Sequence, residues 1–155
     1  MSQLPVGTQA PDFTMTGLDG RSHRLADALK SGPVVLAFYK VGCPTSQFTF
    51  PFIQQIVSEA GKDKSWTIWG ISQDDAQETR SFAERFEITF DMLLDDHPYA
   101  VSSAYGLEFV PTIFIVEPGG TISLSDFGFT KNSLNQIAGF DRFPPNDGLP
   151  AFRPG

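Results

Sequence analysis

Cysteine is almost absent from this chain of 155 residues: Cys43 stands alone. No disulfide can form within the chain. Histidine is scarce as well, and His23 and His97 with one cysteine make no zinc-binding pattern. Long apolar runs are missing. Stretches such as Val34–Tyr39 and Ile113–Val116 fall far short of the roughly 20 residues of a membrane span. Positive charge is in deficit, with 11 Lys and Arg against 18 Asp and Glu and a net charge of −7. Such a chain has no electrostatic footprint for phosphate backbones or anionic lipid, so no nucleic-acid or membrane partner is expected. Met1–Phe13 has neither a basic n-region nor an apolar h-region. No signal peptide is therefore expected, and the expected location is cytoplasmic.

What is present describes one globular domain. Hydrophobic residues make up 41% and charged residues 19%, outside the range of disordered chains, and the length suffices for a core of its own. No repeat and no Gly-, Ser- or Pro-rich linker divides it. Phe13–Met15 and Ser22–Arg24 flank a Gly17–Gly20 turn and predict a hairpin. Leu25–Lys30 predicts a short helix stopped by Ser31-Gly32-Pro33. Val34–Tyr39 and Trp66–Ser72 predict strands buried on both faces. Between them Pro44–Ala60 predicts a long helix ending at Gly61. A helix capped by Asp74 or Asp75 runs to about Phe86. Phe90–Leu94 predicts a strand and Pro98–Tyr105 a helix. Thr112–Glu117 and Thr121–Phe127 predict a second hairpin, and Asn132–Ala138 a last helix. Alternating strands and helices define the α/β class, and the late hairpin makes the sheet mixed. Residues 1–139 form the expected domain. The Pro-rich tail 140–155 is expected to pack on it or extend from it.

One place is suited to chemistry. Cys43 follows a buried strand and precedes Pro44, and proline is favoured at the first turn of a helix. The sulfur is then expected at the helix N-terminus, where unpaired N–H groups and the helix dipole favour thiolate, the reactive form. Lys40 adds positive charge, and the Ser46 hydroxyl can turn back toward the sulfur. The competing reading is a buried, inert core cysteine. No charged residue occurs from Val41 to Ser58. Phe48 and Phe52 share one face of the helix and Phe50 points nearly opposite. Such a helix is either covered by its own fold or presents an apolar docking surface. Gly119-Gly120 is read as a turn, because no phosphate-loop pattern follows. Asp74-Asp75 and Asp95-Asp96 are read as helix caps and solvated loop charges.

The segment Phe38-Tyr39-Lys40-Val41-Gly42-Cys43-Pro44-Thr45-Ser46, with Pro51 beyond it, resembles the active-site segment of the thioredoxin superfamily. Val110-Pro111-Thr112 resembles its cis-proline loop. Gly7, Ala10-Pro11-Asp12-Phe13 and Leu18-Asp19-Gly20 resemble the opening of the AhpC/TSA and redoxin families. So do Gly70-Ile71-Ser72, Phe82, Phe90, Leu94-Asp95-Asp96 and Tyr105-Gly106 further on. The likeness spans roughly residues 5–138. It implies a thioredoxin-like fold, with a central mixed sheet flanked by helices, an N-terminal hairpin and a redoxin-type insertion.

The chain departs from each subfamily pattern. Peroxiredoxins carry Thr or Ser three residues before the peroxidatic cysteine and an Arg near the later strand; Lys40 and Val110 stand there instead. The TlpA- and ResA-type reductases carry Cys-X-X-Cys with a preceding Trp; here the second cysteine is Ser46 and the Trp is Gly42. The buried acid of thioredoxin falls near Ala37. The resemblance implies Cys43, Ser46 and Pro111 as the catalytic set, with Lys40, Gly42, Pro44, Thr45, Val110 and Thr112 contacting substrate. It implies neither metal nor organic cofactor.

Several functions stay open. The expected one is a monothiol thiol–disulfide oxidoreductase, resolved by an external thiol of thioredoxin or glutathione type. The second is a one-cysteine, peroxiredoxin-like peroxidase with antioxidant function. A third is that position 46 carries cysteine or selenocysteine in nature, or that a resolving residue lies beyond Gly155. The fourth is a redox-inert binding module with a slowly alkylated thiol. The partners expected are protein or small-molecule thiols and disulfides, or peroxide. The assembly expected is a monomer or weak dimer.

Overall fold

The computed structural model describes residues 2–155. Strands β1 (Thr14–Thr16) and β2 (Ser22–Arg24) form an antiparallel hairpin, followed by α1 (Leu25–Ala28) and a 3-10 turn over Leu29–Ser31. Then come β3 (Val34–Tyr39), α2 (Pro44–Ala60), β4 (Thr67–Ser72), α3 (Ala76–Arg85), β5 (Asp91–Leu94) and α4 (Ala100–Ala104). The chain ends with β6 (Thr112–Val116), β7 (Ile122–Phe127), β8 (Phe129–Thr130), α5 (Lys131–Ala138) and β9 (Phe152–Arg153). The main sheet has the order β5-β4-β3-β6-β7. Strands β3, β4 and β5 run parallel, while β6 is antiparallel to β3 and to β7. The sheet is mixed, as the pattern predicts.

Strand β3 is central and buried at every residue, which is why it reads as an unbroken apolar run. Its alternate side chains supply two cores. Val35, Ala37 and Tyr39 join Phe50, Ile53 and Ile56 of α2, Phe82 of α3 and Leu134 and Ile137 of α5. Val34, Leu36 and Phe38 join Met15, Leu25, Trp69, Tyr105 and Phe114 on the opposite face. Trp69 is thus a core residue. Burying one such aromatic side chain stabilises the fold by about 1.5–3 kcal/mol.

The uncharged helix α2 is covered by its own fold. Phe50 packs on Tyr39 at 4.4 Å and Phe82 at 5.6 Å between ring centroids. Phe48 and Phe52 pack on Phe129 at 4.9 and 5.5 Å, and Phe52 also meets Phe143 edge-on at 5.5 Å. The phenylalanines of the run thus pack on Tyr39 and Phe82 on one side and on Phe129 and Phe143 on the other.

The structure differs from the sequence pattern at element ends and in two larger respects. The helix expected from Pro98 begins only at Ala100, because Tyr99 has φ 60° and ψ 51°, outside helical space. The tail is not simply extended: β9 pairs with β8, neither of which the pattern shows. Asn135 fixes the tail's start through bonds with both backbone groups of Phe143, at 3.1 and 2.8 Å. Lys131 Nζ reaches the Pro144 carbonyl at 3.0 Å and pairs with Asp147.

Candidate active site

The site lies where β3 hands over to α2. Cys43 is the N-cap of α2, with φ −80° and ψ 118°, and Pro44 is the first helical residue. Proline fits there because its missing N–H has no partner to lose. The turn Lys40-Val41-Gly42 is held from three directions. Cys43 N donates to Lys40 O at 3.2 Å. Val41 N donates to Asp74 Oδ2 at 2.8 Å, and Gln47 Nε2 donates to Val41 O at 2.9 Å. Asp74 is itself steered by Ser72, whose hydroxyl accepts from Asp74 N at 3.0 Å and meets Thr79 Oγ1 at 2.7 Å.

Asp75, not Asp74, caps α3, accepting from Glu78 N at 2.8 Å. That division frees Asp74 for the cysteine loop. The sequence pattern leaves the cap open between the two aspartates and does not single out Gln47. The only signal available was that Asp74 follows the C-terminal end of β4, the parallel neighbour of β3, where loops meet.

Cys43 is half-buried and free. Its thiol donates to the Val110 carbonyl oxygen at 3.4 Å. Val110 and Pro111 are joined by a cis peptide, as the resemblance implies. The loop is shaped from within: Thr112 is buried and its hydroxyl donates to Phe109 O at 2.6 Å, while Gly128 N donates to Pro111 O at 2.7 Å. Thr112 thus builds the loop, while Val110 faces the sulfur.

The other residues of the predicted set differ in exposure and in partners. Gly42 and Pro44 are exposed. Lys40 is exposed and lines a cleft of about 240 Å³ with Gln73, Leu107, Glu108, Phe109 and Val110. Thr45 is buried, and its hydroxyl donates to Pro154 O at 2.6 Å. Ser46 is fully buried, and among the described residues its Oγ alone of the buried side-chain polar atoms has no hydrogen-bond partner. A polar atom in that condition costs free energy. The Ser46 hydroxyl therefore does not bond back to the Cys43 sulfur as the sequence pattern suggests. Ala37, at the place of thioredoxin's buried acid, is fully buried in apolar company.

No cluster of three or more metal-ligating side chains occurs among the described residues, and no helix is long and apolar enough to cross a membrane.

A central mixed sheet, a cysteine at the start of the following helix and a cis-proline loop against its sulfur define a thioredoxin-like oxidoreductase. The chain belongs to the AhpC/TSA family, whose model matches residues 6–125. It is similar to the thiol-disulfide oxidoreductase ResA of Geobacillus thermodenitrificans, with 30% identity over 134 residues, 86% of this chain and 76% of that one. The thioredoxin domain of a thiol-disulfide oxidoreductase from Bacteroides vulgatus superposes with a TM-score of 0.75 at 26% identity, covering 88% of this chain and 96% of that one. A putative protein disulfide isomerase from Bacteroides thetaiotaomicron shares the fold, with a TM-score of 0.80 at 21% identity over 90% of this chain and 91% of that one.

Proposed function

We propose that the chain is a monothiol thiol–disulfide oxidoreductase that works through Cys43 and is resolved by an external thiol. The observation that carries this reading is the half-buried Cys43, at the start of α2 with its thiol on the Val110 carbonyl, in a chain with no second thiol. The similarity to proteins named thiol-disulfide oxidoreductases supports the choice of disulfide as substrate.

In the first step the Cys43 thiolate attacks one sulfur of a substrate disulfide. The bond from Cys43 to that sulfur forms as the substrate S–S bond breaks. The second substrate sulfur leaves as a thiolate and takes up a proton. In the second step a thiol of glutathione or thioredoxin type attacks the mixed disulfide and releases Cys43. Ser46 has no sulfur and cannot resolve the intermediate. Gly42 and Pro44 leave the sulfur approachable, Lys40 offers a cation at the rim, and the Val110–Pro111 loop sets the direction of approach.

Intact-mass spectrometry after brief exposure to glutathione disulfide, with peroxide in parallel, tests the reading. Rapid appearance of a single glutathione adduct on Cys43, with slow sulfenic acid formation, is the expected result. Fast sulfenic acid with little adduct would replace the reading by a peroxidase one. Neither product at an appreciable rate would leave a binding module.

A further inference from the structure

Residues 151–155 cross the mouth of the site backbone-first. Ala151 O accepts from Lys131 N at 3.1 Å. Phe152 and Arg153 pair antiparallel with Thr130 and Phe129. Pro154 O accepts the Thr45 hydroxyl at 2.6 Å. Gly155 lies so close over Val110 that a Cβ would collide with its carbonyl oxygen and come within 2.8 Å of its carbon. That oxygen is the one facing the Cys43 thiol. Gly128, at φ +74°, keeps the other side clear, since a Cβ there would collide with Arg153 O. The segment therefore runs from the edge of β8, where Phe152 and Arg153 are extended, to the atom beside the sulfur.

The path is held mostly by main-chain groups, and all five residues are exposed. Main-chain pairing with a strand edge is open to any extended polypeptide, and side-chain platforms supply the preference. Two platforms are visible. Phe152 meets Phe127 edge-on at 5.8 Å, and Phe127 stacks on Phe109 at 5.1 Å. The Arg153 guanidinium lies 4.9 Å over the Phe48 ring. Phe109, Phe127 and Phe152 are the exposed aromatics beside the loop, at 49%, 39% and 48% exposure.

We propose that residues 151–155 occupy the docking strand of an extended polypeptide substrate bearing an aromatic and a basic residue near its cysteine, and that such a substrate reaches Cys43 by displacing them. The inference rests on the disulfide-exchange reading of Cys43. A small disulfide needs no strand edge and meets the segment only where Gly155 lies over Val110. The resting protein therefore favours small disulfides over polypeptide ones. The chemistry remains the exchange already described, with no added oxidant or reductant.

The test compares two probes on three proteins. The probes are glutathione disulfide and a peptide containing Phe-Arg and one cysteine blocked as its glutathione disulfide. The proteins are the full chain, Gly155→Ala and a form lacking residues 151–155. The peptide probe is expected to react about tenfold faster with both variants, and glutathione disulfide to gain far less, because only the peptide competes with the whole strand. Equal changes for both probes, or none for the peptide, would show the segment to be a structural strap only. A chain that reacts with neither probe would overturn the exchange reading, and this inference with it. Hydrogen exchange on the full chain avoids any folding defect of the shortened form. Saturation with the same peptide carrying serine for cysteine is expected to deprotect residues 152–153, and unchanged protection under saturation would overturn the proposal.

Discussion

The Cys43 thiol and the Val110 carbonyl oxygen meet at 3.4 Å although 67 residues separate them in the chain. The sheet register brings them together. Phe38 of β3 lies opposite Thr112 of the antiparallel β6. The loop leaving β3 and the loop entering β6 therefore emerge at the same end. A loop after one strand and a loop before its antiparallel neighbour must share that edge.

The Asp74 carboxylate holds the cysteine turn through Val41 N. Asp74→Ala leaves that half-buried N–H without its acceptor and is expected to cost about 1–3 kcal/mol. The adduct-forming rate of Cys43 is expected to fall with it. Asp74→Asn keeps an oxygen in place, so it should recover most of the stability by chemical denaturation and most of the rate by intact mass. Loss in the alanine variant without recovery in the asparagine one would show that charge, not geometry, matters.

The orphaned Ser46 hydroxyl predicts a gain. Ser46→Ala removes the unpaired atom and is expected to raise stability by about 1 kcal/mol, read as a higher denaturation midpoint with an unchanged slope. Ser46→Cys places a second sulfur one helical turn from the first. Side chains three apart on a helix stand about 5–6 Å apart at Cβ, and small adjustments at a helix end bring them to disulfide distance. The expected outcome is an intramolecular disulfide, seen as the loss of two hydrogens, and a glutathione adduct that no longer accumulates.

Phe50 ties α2 to the sheet through Tyr39 and Phe82. Phe50→Ala is expected to cost about 3–5 kcal/mol. Because α2 carries Cys43 at its first end, the same variant should broaden the NMR signals of the cysteine loop. A cost below about 1 kcal/mol in denaturant unfolding would mean that the helix collapses onto the cavity.

Two ion pairs fasten the segment beyond α5, Asp147 with Lys131 and Glu59 with Arg142. The Lys131 hydrogen bond holds the Asp147 carboxyl below its ordinary 3.8, and the Arg142 hydrogen bond holds Glu59 below its ordinary 4.5. Both carboxyls are depressed in the folded state. Their contribution is therefore complete above those ordinary values and lost as pH falls through the lower folded ones. Asp147→Asn should lower the melting temperature by a constant amount above about pH 5, with the difference shrinking in stronger acid. A difference that grows in acid would contradict the pairing.

Much of the fold is legible in the sequence because burial leaves a periodic trace. Val34–Tyr39 and Pro44–Ala60 match their elements end to end, one by its unbroken apolar run and the other by its proline start and glycine stop. The cysteine's place at the start of α2 follows from the same punctuation. Asp74, Gln47 and the tail strand left no such trace. Each acts through a single hydrogen bond or a two-residue pairing, too short to set a period.

The sequence by itself determined that this is an acidic α/β domain with one thiol at a helix start, because local rules of burial, turn chemistry and capping act within a few residues. Tertiary structure alone decided that Val110 faces that thiol, that Asp74 and not Asp75 steadies it, that Ser46 is left without a partner, and that residues 151–155 lie across the site. Those facts depend on which strand ends share an edge and which chain segment reaches it. Such choices are made by packing across distances in sequence that no local pattern records.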